Sequence, residues 1–328
     1  MRIKLCLRLS AVLLLLAPAW SIGGPVVKAE QLAGKSVGQQ CQLLTSRGGW
    51  VEARPLCEQA AAQGDFGAML SLEWIKQTHR PLYPEALALA KGGNADAASY
   101  LGAALLLGQM AETVAPSDQA LHWLQLAADN GNAEGHYWLG VAYSYGKFPG
   151  AEADLVVAAG HLQQAAEGGH GAAALLLAEL HLYRQFGQPA DALPWLRQGQ
   201  PTPEGSNWGW IYEHGIGVPV DLLKAEAIYR QSSDALGAFR ALQLMRLRPH
   251  SSEELQQAAQ RLETKALTDE PAPWLTAKPT VNGDSCRLLA GLFASGQSKP
   301  TRSADVAAEV TRWYSYAAFY DQKGRAAP

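Results

Sequence analysis

Charge is the first thing this chain has little of. Only 17% of its 328 residues are Asp, Glu, Lys or Arg, and 48% are hydrophobic. That balance excludes an intrinsically disordered chain, which needs low hydrophobicity and high net charge. Cysteine is scarce too, with four in the chain, so a disulfide-dense small scaffold is excluded. Glycine is plentiful at 32 but follows no every-third-residue period, which excludes a collagen-like fibre. Several motifs of chemistry are missing. There is no His-Glu-x-x-His, no Cys-x-x-Cys, no Gly-x-Ser-x-Gly elbow and no phosphate-binding Gly-rich loop. Gly215-Ile216-Gly217 lacks both the preceding strand and the third glycine of a dinucleotide site. We therefore expect no enzyme activity, no catalytic residue, no metal and no cofactor. His161, His170 and His181 read as scattered, and His170 as a surface loop residue.

What the chain does have is alanine. It counts 56 of them, against 57 charged residues of all kinds. Alanine is the best helix former and lets helices approach closely, so the composition points to a compact all-α protein.

The N-terminus reads as a separate segment. Arg2, Lys4 and Arg8 precede the apolar run Ala11–Ala17, the order of a secretory signal peptide. The run is too short to span a membrane. Cleavage after Ala19 or Ala29 fits the small-residue rule, and residues 1–29 are taken as the signal. No second span follows, so the mature chain is expected to be soluble and periplasmic or secreted. Removing residues 1–29 takes four basic residues, so Lys+Arg falls from 27 to 23 against 30 acids, and the net charge moves from −3 to −7. Such a chain is a poor partner for nucleic acid or an anionic membrane.

An internal repeat dominates the rest. Gly93-Asn94-Ala95 recurs as Gly131-Asn132-Ala133, 38 residues later, and Gly169-His170-Gly171 follows at the same interval. Each is followed by a helix with a small residue at its middle: Leu101-Gly102, Leu139-Gly140 and Leu177-Ala178. Trp208-Gly209 and Ala241-Leu242 keep the register. A second helix then returns, as in Ala120–Ala128 and Lys224–Arg230. Neither helix can bury its apolar stripe alone, whereas stacked pairs bury a continuous core. In this register Trp123, Trp138, Tyr143 and Tyr212 are expected in the core.

These features resemble the Sel1-like repeats, relatives of the tetratricopeptide repeats. The matching residues are Ala120, Trp123, Ala127-Ala128, Gly131, Ala133, Leu139-Gly140, Tyr143 and Gly146. A second set is Trp208-Gly209, Tyr212, Gly215-Ile216-Gly217-Val218, Asp221, Ala225 and Tyr229. The resemblance implies a right-handed α-solenoid of stacked antiparallel helix pairs over residues 30–250. Gln198–Ser206, with Pro201 and Pro203, departs from the repeat. Residues 251–328 read as C-terminal capping helices interrupted by a Pro-rich linker (Pro271–Pro279); the alternative is a small partner-binding module. Ser251 with Glu254 reads as a capping box opening the first of these helices.

Cys41 and Cys57 flank the turn Gly48-Gly49. In an antiparallel hairpin centred near residue 49 they face each other, and an exported chain meets an oxidising compartment. They are expected to form a disulfide; the alternative is two buried thiols. Cys286 reads as a buried core thiol.

By analogy with tetratricopeptide solenoids, the first helices of successive pairs line a concave groove. Counting from the buried Leu-Gly reference gives Glu134, Tyr137, Ser144 and Tyr145, then Leu175, Glu179, Leu182 and Tyr183. It next gives Ser206, Trp210, Glu213 and His214, then Phe239, Gln243 and Arg246. Aromatics beside polar groups suit a protein partner. The resemblance implies a scaffold in a cell-envelope assembly such as secretion, polysaccharide export or cell-wall machinery. The alternative is a module that binds glycan or peptidoglycan fragments.

Overall fold

The computed structural model describes residues 32–47, 49–78, 81–108, 116–148, 152–183, 186–266, 282–301 and 303–325. The expected signal peptide and Pro-rich linker lie outside these residues. Among them are sixteen α-helices and no strand. The fold class is an all-α solenoid of stacked antiparallel helix pairs.

The chain divides into two compact units, residues 1–170 and 171–328. The first holds α1 (Val37–Ser46), α2 (Trp50–Ala62), α3 (Phe66–Ile75), α4 (Tyr83–Lys91), α5 (Ala95–Leu106), α6 (Pro116–Asp129), α7 (Ala133–Ser144) and α8 (Leu155–Glu167). The second holds α9 (Gly171–Tyr183), α10 (Ala192–Gly199), α11 (Gly205–His214), α12 (Leu222–Gln231), α13 (Ala235–Met245), α14 (Ser252–Ala266), α15 (Asn282–Ala294) and α16 (Val306–Arg325). Odd-numbered helices pair with the even-numbered helix that follows, except α3, which packs on α1, α2 and α5, while α4 packs on α5. In the first unit α1, α3, α5 and α7 also pack on one another in a row, as do α11 and α13 in the second. Helix α14 packs on α13 as the other second helices pack on their partners.

The recurring Gly-Asn-Ala string is the joint between pairs. Gly93 and Gly131 take φ of +87° and +73°, the left-handed region that costs an L side chain about 1–2 kcal/mol. At the first, the Gly93 N–H donates to Ala90 and the Asn94 N–H to Leu89, which closes the helix in a Schellman motif. The next residue already opens the following helix. Asn94 and Asn132 each accept from the backbone N–H three residues on, at 2.9 and 2.8 Å. Two residues thus end one helix and start the next, so successive pairs follow without slack.

The small residue of each Leu-Gly pair marks a close helix crossing. A Cβ at Gly102 would meet Leu124 Cγ at 2.5 Å, and one at Gly140 would meet Leu162 Cγ at 2.6 Å. At Gly209 the second helix contributes Tyr229 instead, whose ring would lie 2.5 Å from a Cβ. Leu124, Leu162 and Tyr229 are fully buried at these crossings.

The N-terminal hairpin α1–α2 is joined by a Cys41–Cys57 disulfide, with Cα atoms 4.9 Å apart. Its half-cystines sit in a core with Leu44, Ala53 and Leu72. Cys286 is a buried thiol in the last core of the second unit, among Leu289, Phe293 and Trp313, where burial pushes its pKa up to about 11. Ser251 and Glu254 form the expected reciprocal cap, with N···O distances of 3.1 and 3.2 Å. Among the four aromatics expected in the core, Trp138 is fully buried; Trp123, Tyr143 and Tyr212 are half-buried. They lie where the stripe meets the surface.

Candidate functional site

The second unit gathers an aromatic and polar network on its first helices α9, α11 and α13. Its order starts from the glycine at 209. The missing side chain admits the Tyr229 ring of α12, whose hydroxyl donates to Glu213 Oε2 of α11 at 2.8 Å. Burial and the Glu213 charge hold that phenol above its ordinary pKa, so it stays a donor. Glu213 then accepts from Arg240 of α13, with Arg240 Nε at 3.1 Å and the second guanidinium nitrogen also bonded. Such a bidentate pair fixes both orientation and charge. Arg240 Nη1 donates onward to Gln243 at 2.8 Å, and the guanidinium lies 5.4 Å from the Trp210 ring centre.

A second strand of the network joins α9 to α11. Asn207 Nδ2 donates to the buried Glu179 at 3.0 Å, and Tyr183 donates through its hydroxyl to Asn207 Oδ1 at 2.9 Å. Burial, with Glu179 nearby, pushes the Tyr183 phenol well above its usual range. The Tyr183 ring meets Trp210 edge-on at 5.2 Å. His214 stacks on Trp210 at 4.1 Å and 24°, its Nδ1 3.1 Å from the Trp210 carbonyl oxygen. Trp210 and Tyr183 are half-buried and His214 is exposed, so the network reaches the surface.

The structure therefore brings together Glu179, Tyr183, Trp210, Glu213, His214 and Gln243. Arg246 is exposed at the C-terminal cap of α13 and takes no part in the network. Arg240 and Asn207 were missed by sequence reasoning. Both lie one residue before the buried reference, a position left out of the groove register. That position is three residues before the one holding Glu179, Trp210 and Gln243, so helical spacing puts all of them on one face.

In the first unit Glu134 and Tyr137 serve the joint between helix pairs. Glu134 accepts from Trp138 Nε1 at 2.6 Å and lies 2.8 Å from His170 Nε2. Tyr137 is buried at 6% exposure and stacks on the His170 ring at 4.4 Å. His170 is thus a half-buried, paired residue and not a free loop side chain; its position directly after the joint glycine brings it onto α7. Ser144 is buried, and Tyr145 caps α7 half-buried. In the second unit Ser206 is buried and donates to Asp234 at 2.6 Å. Leu182 and Phe239 lie in cores, and Leu175 packs against one.

His161, read as scattered from the sequence, meets His136 between α7 and α8. His136 Nδ1 and His161 Nδ1 are 3.0 Å apart, with ring centres at 5.3 Å. The difference of about 2.3 Å equals two imidazole radii, so the nitrogens point at each other. Two ligands of one metal ion would instead aim at a shared third point. Among the described residues no group of three or more His, Cys, Asp or Glu is arranged to hold a metal.

Comparison with known proteins fits this architecture. The Sel1 repeat family model matches residues 95–132, 133–170 and 206–235. The chain carries Sel1 repeats. Each matched segment is one helix pair: α5 with α6, α7 with α8, and α11 with α12. Together the Sel1 matches cover about a third of the chain. Two solved structures share the fold. One is a protective antigen present in uropathogenic Escherichia coli strains, displaying an SLR fold, with 20% identity and a TM-score of 0.54 over 90% of this chain. This chain spans 64% of that antigen's length. The other is a Sel1 repeat protein from Oxalobacter formigenes, with 19% identity and a TM-score of 0.54, covering 73% of this chain and 94% of that one. A sequence search of curated proteins finds no match. Sel1 repeats suggest a protein–protein interaction scaffold, and the family is generally non-catalytic. No helix among the described residues is long and apolar enough to cross a membrane.

Proposed function

We propose that this chain is an exported scaffold that holds a protein partner in a cell-envelope assembly, using the face of α9, α11 and α13. The carrying observation is the network that fixes Trp210, Tyr183 and Arg240 at the surface. Trp, Tyr and Arg are the residue types that dominate binding energy at protein interfaces. Holding them in place before contact lowers the entropy lost on binding. Here Glu213 and Gln243 hold Arg240, and Asn207 holds Tyr183. Export is supported by the basic-then-apolar order of residues 1–17 and by the Cys41–Cys57 disulfide, which fits an oxidising compartment.

The test is recovery from cell-envelope extract with the purified chain as bait, beside the Trp210→Ala variant. One stoichiometric protein, retained by the native chain and lost from the variant, is the expected result. A hot-spot loss of about 2 kcal/mol corresponds to roughly thirtyfold weaker binding. Binding to purified glycan alone would favour the carbohydrate module instead. Circular dichroism must show unchanged helicity, since loss of helix would make Trp210 a core residue.

A further inference from the structure

The His136–His161 contact is a repeat-internal joint that the binding face does not use. His136 lies on α7 and His161 on α8, the two helices of one Sel1 repeat. Both rings are half-buried. The Tyr143 ring lies parallel to His161 at 7° and 5.9 Å, and Phe148 meets Tyr143 edge-on. These neighbours limit the directions in which the His161 ring can turn.

A head-on Nδ1···Nδ1 contact needs one nitrogen as donor and the other as acceptor. A neutral pair satisfies this with one proton between the rings. A first added proton can go to the donor ring's Nε2, leaving the shared bond intact and charge-assisted. A second added proton has only the acceptor lone pair left on Nδ1. It turns both nitrogens into donors and sets two like charges at the same contact. The pair therefore accepts one proton and opposes the next.

We propose that the His136–His161 pair is an acid-sensitive latch that closes α7 on α8 when at most singly protonated and releases them when doubly protonated.

The surroundings support the direction. Burial lowers the pKa of both rings, and His136 lowers that of His161 further. Asp129 at the end of α6 acts the other way on both, and the Ala128 carbonyl takes a hydrogen bond from His136. On α7, Glu134 is committed to Trp138 and His170, and the Tyr143 ring lies parallel to His161. On α8, Glu167 is bound to Gln163. Histidine in an unfolded chain titrates near pH 6.5. Both folded values lie lower, so the open chain binds more protons as pH drops through that range. The latch then contributes fully above about pH 6.5 and is lost as pH falls through the lower folded values.

The experiment follows amide hydrogen exchange at pH 7.5 and 5.0, corrected for intrinsic rates, in the native chain and in His161→Gln. Glutamine keeps a hydrogen-bonding group but does not titrate. In the native chain the amides of α7 and α8 should exchange several-fold faster at pH 5.0, while α5 and α6 change little. In His161→Gln the α7–α8 change should largely disappear. An equal change in both proteins, or none in the native chain, overturns the latch. Ring nitrogen NMR of the native chain is an independent reading that holds even if a variant misfolds. It should show one ring protonating well before the other. Both rings taking protons together, with α7 and α8 still protected, would also overturn it.

Discussion

Glycine at position 140 shows how much one missing methyl group decides. Alanine is favoured over glycine inside a helix by about 1 kcal/mol, so local propensity alone argues for Gly140→Ala. The crossing argues against it. The added Cβ would stand 2.6 Å from Leu162 Cγ and 3.2 Å from the Ala158 carbonyl oxygen. Leu162 is fully buried and the backbone at Ala158 is part of a helix, so neither can yield without moving α8. Overpacking of this kind costs about 1–3 kcal/mol and should exceed the propensity gain. We expect Gly140→Ala to lower the melting temperature, measured by circular dichroism. Gly160, on the exposed side of α8 with open space around its Cβ position, is the control: Gly160→Ala should be neutral or stabilising. The Leu-Gly crossings were legible in sequence because the same pair recurs at a fixed interval. Arg240 and Asn207 were not, because their shared repeat position, one residue before the reference, holds Tyr100, Trp138 and Leu176 in other pairs and so reads as core. The facing of His136 and His161 was hidden for another reason. It depends on side-chain rotamers across two helices, which periodicity along one chain does not encode.

At the scale of the element, stability is concentrated at joints and staples. Asn132 accepts from the Gly135 N–H at 2.8 Å and also donates to Asp96 at 2.6 Å. Asn132→Ala removes the cap of α7 and should cost about 1 kcal/mol, with Asn132→Ser retaining much of the cap without setting a second carboxylate against Asp96. The comparison is made by urea denaturation. The hairpin α1–α2 has a covalent staple across a separation of 16 residues. Closing a loop of this size stabilises by about 3 kcal/mol in the chain-entropy account. A Cys41→Ser/Cys57→Ser protein should therefore melt at a lower temperature, and reductant should shift the native protein in the same direction. An unchanged melting point in the double variant would mean the hairpin is held by its apolar core alone. The hairpin was legible because a turn of two glycines fixes the facing positions. The joint at Gln198–Ser206 shows the opposite case. There the repeat string is missing, α10 ends in an extended link, and Trp208 Nε1 donates back to the Gln200 carbonyl at 3.0 Å to secure it. Prolines at 201 and 203 announced the irregularity but not the bond that compensates for it.

At the scale of the whole molecule, proposed export and the cysteines test one another. The chain has four cysteines, of which Cys6 precedes the apolar run of the expected signal. Cleavage after Ala29 removes Cys6 together with four basic residues. The mature chain then holds Cys41 and Cys57 in a disulfide and Cys286 as a buried thiol. Burial raises the Cys286 pKa to about 11, so that thiol is a poor nucleophile while the chain is folded. Alkylation followed by intact mass gives three distinct readings. The folded mature chain should label little, the denatured unreduced chain should take one label, and the denatured reduced chain should take three. A chain retained with its N-terminal segment in a reducing compartment would take four labels without added reductant. The same mass spectrum locates the cleavage, because loss of residues 1–19 and loss of residues 1–29 leave chains of different mass. Charge supplies a second readout of the same event. Cleavage after Ala29 takes Arg2, Lys4, Arg8 and Lys28, so the mature chain carries −7 where the full chain carries −3. Isoelectric focusing should therefore move the processed form to a lower pI than the full chain. Cleavage after Ala19 would keep Lys28 and leave a charge of −6, so the size of the acidic shift separates the two cleavage positions.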